Sequence, residues 1–167
     1  MAASLDYMTS LQMPQRFLSE RDRLGSSREP AIETLSEAMW SRRLLPIVEK
    51  LYELSNLSGN WDSYGGQQVQ PECANATFEI LATTMREKTP LPWIVPTPEG
   101  HVQFEWHIHD IDLEVEVSSL TSIHVLYEDL RSEDPVEEFE LDYDLTKLQS
   151  LIDGITRRPL PHSGATG

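Results

Sequence analysis

From Val102 onward the apolar residues fall on every second position. Val102, Phe104, Trp106 and Ile108 alternate with Gln103, Glu105 and His107; Ile111, Leu113, Val115 and Val117 alternate with Asp112, Glu114 and Glu116. Successive side chains of a strand point to opposite faces, so the pattern describes strands with one apolar face and one polar face. Ile123, Val125 and Tyr127 continue it, followed by Phe139, Leu141 and Tyr143. Antiparallel strands with one face solvated show this alternation, whereas fully buried parallel strands are apolar throughout. The expected core of the fold is therefore an antiparallel meander over 101–108, 111–117, 122–128 and 136–141. A short strand at 93–95 precedes it.

Helical spacing appears before and after this block. Residues 31–57 place Leu35, Met39, Leu44, Ile47, Leu51 and Leu54 on one face, and Pro46 is expected to break or kink the stretch because it has no backbone donor. The segment 71–88 opens on Pro71-Glu72, a favourable first turn, and its apolar positions run from Cys73 to Met85. A last helix over about 144–157, starting at Asp144, would bury Leu145, Leu148, Leu151, Ile152 and Ile155. Pro90, Pro92, Pro96 and Pro98 impose an extended connector before the sheet. The expected fold class is α+β, an antiparallel meander of four to five strands with two to three helices packed on one face. Residues 30–157 would form a single domain, flanked by flexible segments at 1–29 and 158–167.

Charge is concentrated where the strands are. Residues 99–144 hold fifteen acids against one base, Arg131, which gives −14 of the chain's net −15. An acidic balance of this kind excludes ordinary binding to a phosphate backbone, which needs clustered Lys and Arg. The sequence has no apolar run near the length of a membrane span, and the first thirty residues contain no signal-peptide core, so a cytoplasmic protein is expected. With Cys73 as the single cysteine, neither an internal disulfide nor a Cys-rich zinc module is possible.

Between the first two helices lies Ser58-Gly59-Asn60-Trp61-Asp62-Ser63-Tyr64-Gly65-Gly66, dense in turn formers around two large aromatics. The simplest expectation is a plug in which Trp61 anchors the core, Tyr64 folds back with it and Asp62 caps a turn. The alternative is an exposed aromatic anchor, Trp61 with Tyr64, docking into a larger assembly. The run from Asn60 to Gly65, the helix opened by Pro71, the segment Ile94-Val95-Pro96-Thr97-Pro98-Glu99-Gly100-His101-Val102-Gln103-Phe104-Glu105-Trp106 and the Ile111-to-Val117 strand together resemble a group of small uncharacterised bacterial proteins. That group shares an N-W-D-x-Y-G loop, a P-T-x-x-G-x-V-Q-x-E-W strand and an acidic strand after it. The resemblance covers about residues 50–128. It implies a bacterial or phage cytoplasmic protein with this order of elements, and it implies nothing catalytic.

Pairing the first two strands through a tight His109-Asp110 turn sets Trp106 opposite Leu113, Phe104 opposite Val115 and Val102 opposite Val117. The same register sets His107 opposite Asp112, Glu105 opposite Glu114 and Gln103 opposite Glu116, and a third strand brings His124 opposite Glu116. One face then presents Glu105, Asp112, Glu114 and Glu116 together with His107 and His124. Directly opposed like charges destabilise a sheet slightly. Water and salt can screen them on an open face, and a basic protein partner can neutralise them. The sequence contains no phosphate-cradling glycine loop, nucleophile elbow or His-Glu-x-x-His helix. Cys73 reads as a small buried residue. The expectation is a non-catalytic acidic module with no cofactor, engaging a basic partner through Glu105, Asp112, Glu114 and Glu116, of antitoxin, immunity or defence-accessory type. Imitating nucleic-acid phosphates to block a nucleic-acid-binding enzyme is a variant of that idea. The alternatives are docking through Trp61 and Tyr64, and a small metal-dependent hydrolase using the Glu/His face.

Overall fold

The computed structural model describes residues 30–158, with side chains from Arg42 onward. The expected flexible segments 1–29 and 158–167 lie outside the described residues except for Arg158. That guanidinium is fixed, with one nitrogen 2.8 Å from both carboxylate oxygens of Asp129.

The sheet follows directly from the alternation. Strands β1 (Trp93–Pro96), β2 (Val102–Ile108), β3 (Ile111–Ser119), β4 (Ser122–Asp129) and β5 (Glu137–Leu141) pair antiparallel in the order β1-β2-β3-β4-β5. The pairing sets Trp106 against Leu113, Phe104 against Val115, Glu105 against Glu114 and Glu116 against His124, as the sequence pattern requires. The turn between β2 and β3 consists of His109 and Asp110, both with φ near +60° (57° and 58°). Two consecutive left-handed residues make the tight hairpin whose twist suits the flanking strands.

Three helices cover one face: α1 (Pro30–Ser55), α2 (Pro71–Thr84) and α3 (Thr146–Arg157). Helix α2 lies over β2 and β3, with α1 against α2 and β1, and α3 against α2. Their apolar residues, including Leu51, Ile80, Leu81 and Ile152, form one core with Phe104, Trp106, Leu113 and Val115 of the sheet. The fold is α+β. Among the described residues no helix is long and apolar enough to cross a membrane.

Each helix differs from the expectation in one respect. Helix α1 runs through Pro46 as one element rather than breaking there. Pro46 removes the donor for the Arg42 carbonyl and crowds it, but both residues are exposed, so water can satisfy that group. Helix α2 stops at Thr84, short of residue 88, because Met85 turns extended (ψ 156°) while its N–H still bonds to Leu81. Thr89 then closes a separate turn, its N–H on the Arg86 carbonyl and its hydroxyl accepting from the Arg86 N–H. Helix α3 begins at Thr146, and Asp144 serves its first turn by accepting the Thr146 N–H at 3.0 Å.

Cys73 sits in the first turn of α2, fully buried, with its Sγ 3.2 Å from the Ser118 carbonyl. Burial pushes its thiol above the ordinary value, which makes it a poor nucleophile. The loop between α1 and α2 is tied to the turn before β2, because the Gln67 and Gln70 N–H groups bond to the carbonyls of Pro98 and Gly100. A Cβ on Gly100 would come within 2.7 Å of the Gln68 carbonyl oxygen, and φ there is +84°, so both approach and conformation require glycine.

Candidate interaction face

The face of the sheet away from the helices collects every second residue of five strands. Register places Trp93, Glu105, Glu114, Leu126 and Glu138 in one row across the sheet. Val95, Gln103, Glu116, His124 and Glu140 make the next row, and His107, Asp112 and Glu128 lie on the other side of the first. The face therefore carries seven carboxylates: Glu105, Asp112, Glu114, Glu116, Glu128, Glu138 and Glu140.

Hydrogen bonds within the face soften the repulsion. The Gln103 side-chain amide donates to Glu105 at 3.1 Å and to Glu114 at 3.4 Å, so it bridges the directly opposed pair. His107 lies between two acids, its Nδ1 3.0 Å from Asp112 and its Nε2 3.4 Å from Glu105. The hydrogen bond to Asp112, and secondarily Glu105, raises the His107 pKa from its ordinary 6.5 against a smaller desolvation effect. His101 Nδ1 sits 2.8 Å from Glu116, and His124 Nε2 sits 2.9 Å from Glu138. Among the described residues, every ion pair made by a lysine or arginine lies off this face: Lys50 with Glu53, Arg86 and Arg157 with Asp153, Arg131 with Asp110, Lys147 with Glu137, and Arg158 with Asp129. Among the described residues, the ion-pair geometry of the face's own acids is made with His101, His107 and His124.

The expected residues are thus brought together: Glu105, Asp112, Glu114 and Glu116 share one open surface with His107 and His124. Glu105, His107 and Glu114 each offer one ligand atom within 4.8 Å of the other two, a set of two carboxylates and an imidazole that suits a divalent ion. His124 stands apart from that set, bonded to Glu138 although its backbone faces Glu116.

Trp61 and Tyr64 are elsewhere. Their loop is closed by its own hydrogen bonds: Asp62 accepts the N–H groups of Tyr64 and Gly66, both at 2.9 Å, and Asn60 accepts that of Gly65. The Gly66 and Tyr64 amides hold the Asp62 carboxyl below its ordinary value, as suits a capping group. Trp61 is half-buried and bonds the Gln67 carbonyl through its indole N–H, so it fastens the loop and does not enter the core. Tyr64, expected to fold back, is 94% exposed at the tip. Ser63 before it has φ +66° and Asp62 holds its amide, a geometry that turns the ring outward.

Sequence reasoning set Gln103 opposite Glu116 but missed Trp93, His101, Glu128, Glu138 and Glu140 as members of the face. The parity of Gln103 was legible, but not its bridging role. In Trp93-Ile94-Val95 all three residues are apolar, so only the pairing of Trp93 with Glu105 shows which of them point outward. Compared with protein-family models, curated proteins and solved structures, the chain matches none. The resemblance carried by the 60–65 loop and the β2 strand rests on those residues alone.

Proposed function

We propose that the protein is a cytoplasmic, non-catalytic binding module that engages a basic protein through the acidic face of its sheet. The observation that carries this reading is a surface of seven carboxylates with no lysine or arginine of the described residues paired to any of them. Such a surface steers a basic partner by long-range attraction and rejects acidic competitors, which adds specificity more than affinity. The carboxylates of the face are half-buried or exposed, whereas acid-base work calls for burial that tunes a carboxylate pair. An antitoxin, immunity or defence-accessory role is compatible with such a surface.

The test is a pull-down from host lysate with the wild-type chain beside a Glu105→Lys/Glu114→Lys/Glu116→Lys variant, with circular dichroism confirming that both are folded. The expected result is a stoichiometric basic partner on the wild type that raised salt releases and the variant does not capture. Retention of that partner by the folded variant would overturn the reading. If Tyr64→Ala releases the partner instead, docking belongs to the exposed loop. A rise in melting temperature with Mn²⁺ or Zn²⁺ that His107→Ala abolishes would move the function to metal-assisted chemistry at Glu105, His107 and Glu114.

A further inference from the structure

Trp93 is 72% exposed, on an edge strand of the sheet. Tryptophan carries one of the largest apolar surfaces of any side chain, and its indole N–H usually finds a partner. Here, among the described residues, the ring meets no other ring or cation and the N–H has no acceptor. Its neighbours are acidic. Trp93 pairs with Glu105 across β1 and β2, and Glu105 pairs in turn with Glu114, so indole, carboxylate and carboxylate stand side by side on one face. Steps between adjacent strands are about 5 Å.

The opposite edge of the sheet shows what this combination holds when it is filled. On β5, Phe139 and Glu137 share one cation: the Lys147 ammonium lies 3.5 Å from the Phe139 ring centroid and 2.8 Å from a Glu137 oxygen. On β1 the same two kinds of group, a π-face and a carboxylate, have no lysine or arginine from the described residues. His107 lies diagonal to Trp93 in the register and is already engaged by Asp112 and Glu105.

Resting on the reading of this face as a docking surface for a basic protein, we propose that Trp93, Glu105 and Glu114 form its arginine subsite. A partner's guanidinium stacks on the indole and donates to the two carboxylates. Arginine fits better than lysine on three counts. Its plane lies flat on the ring, its fork can reach two carboxylates at once, and it sheds water more easily than an ammonium. The occupant is therefore an arginine-bearing segment of the partner. Trp93 supplies the contact that distinguishes arginine from lysine, and the surrounding acids supply attraction to either.

The probes are an oligo-arginine and an oligo-lysine peptide of equal length, titrated calorimetrically at low salt into the full chain. The wild type is expected to bind the arginine peptide about two- to thirtyfold more tightly, the range a cation–π contact provides. Trp93→Leu, which leaves an apolar residue in place, should erase that preference by weakening the arginine peptide more than the lysine peptide, and Trp93→Phe should retain part of it. The indole N–H resonance lost in Trp93→Leu should shift further with the arginine peptide than with the lysine peptide. Equal binding of the two peptides by the wild type, or an undiminished preference in Trp93→Leu, would overturn the subsite. In those cases loss of both peptides in the Glu105→Lys/Glu114→Lys variant would leave the acidic-face reading standing. Binding of neither peptide to the wild type would remove both.

Discussion

On one face of the sheet Phe104, Val115 and Val125 meet side by side with no exposed surface at all. On the other, one residue further along each strand, Glu105 faces Glu114 and Asp112 faces Glu128. The same strands, the same register and the same alternation build both. The apolar face is where the fold gains its stability, at about 1.5–3 kcal/mol for each large side chain buried. The acidic face works against it, since like charges directly opposed across strands are destabilising. Threonine or a mixture of charge signs would serve an exposed sheet better. A surface that departs from the rule its own strands favour is where function is to be sought.

Substitution on the apolar face should have the largest effect. Phe104 is fully buried, edge-on to Trp106 with ring centroids 5.7 Å apart, beneath helix α2. Phe104→Ala removes the aromatic pair and leaves a cavity that the packed sheet cannot close. The expected loss is about 3–5 kcal/mol, measured by urea denaturation. A loss below about 1 kcal/mol would mean that the buried face is loosely packed, and the contrast between the faces would fail.

One residue away the expected sign reverses. Glu114→Gln keeps the side chain's size and its capacity to accept from Gln103, but removes the charge opposed to Glu105. Stability should rise by about 0.2–1 kcal/mol, and the gain should shrink as salt is added. A loss of stability instead would show that the Gln103 bridge holds the Glu114 carboxylate more firmly than Glu105 repels it.

Both faces were legible in the sequence because a two-residue turn fixes parity. Once His109 and Asp110 form the hairpin, a slip of one residue would turn Phe104 and Val115 to water, so burial enforces the register. Side-chain partnerships were not legible, since they depend on rotamers that the alternation leaves free. His124 lies opposite Glu116 in the backbone but bonds to Glu138, while Glu116 takes His101 from outside the strand. The course of α1 through Pro46 was hidden for a related reason. Proline removes one donor, and whether that matters depends on whether water reaches the carbonyl it leaves. Tyr64 was misplaced because the loop satisfies itself through Asn60 and Asp62, and the pull of an aromatic toward the core could not show this.

The smallest effect belongs to His107, and it carries the comparison into solution conditions. Its imidazole sits between Asp112 and Glu105, chiefly on Asp112, which raises its pKa above the ordinary 6.5. A raised pKa in the folded state means that the imidazolium stabilises the fold. That contribution is complete below 6.5 and is lost as pH rises through the higher folded value. The side chain is 45% exposed, so solvent screens the pair and the effect on melting temperature should be slight. The wild type should exceed His107→Gln in melting temperature on the acidic side and match it on the alkaline side. Ring resonances followed by NMR should titrate above 6.5. Asp112→Asn should take away more of the rise than Glu105→Gln does. Protonation also lowers the negative charge of the face, so a basic partner should bind more weakly on acidification even as the fold gains. Titration at or below 6.5, unmoved by Asp112→Asn, would leave the carboxylates of this face without the imidazolium that the geometry gives them.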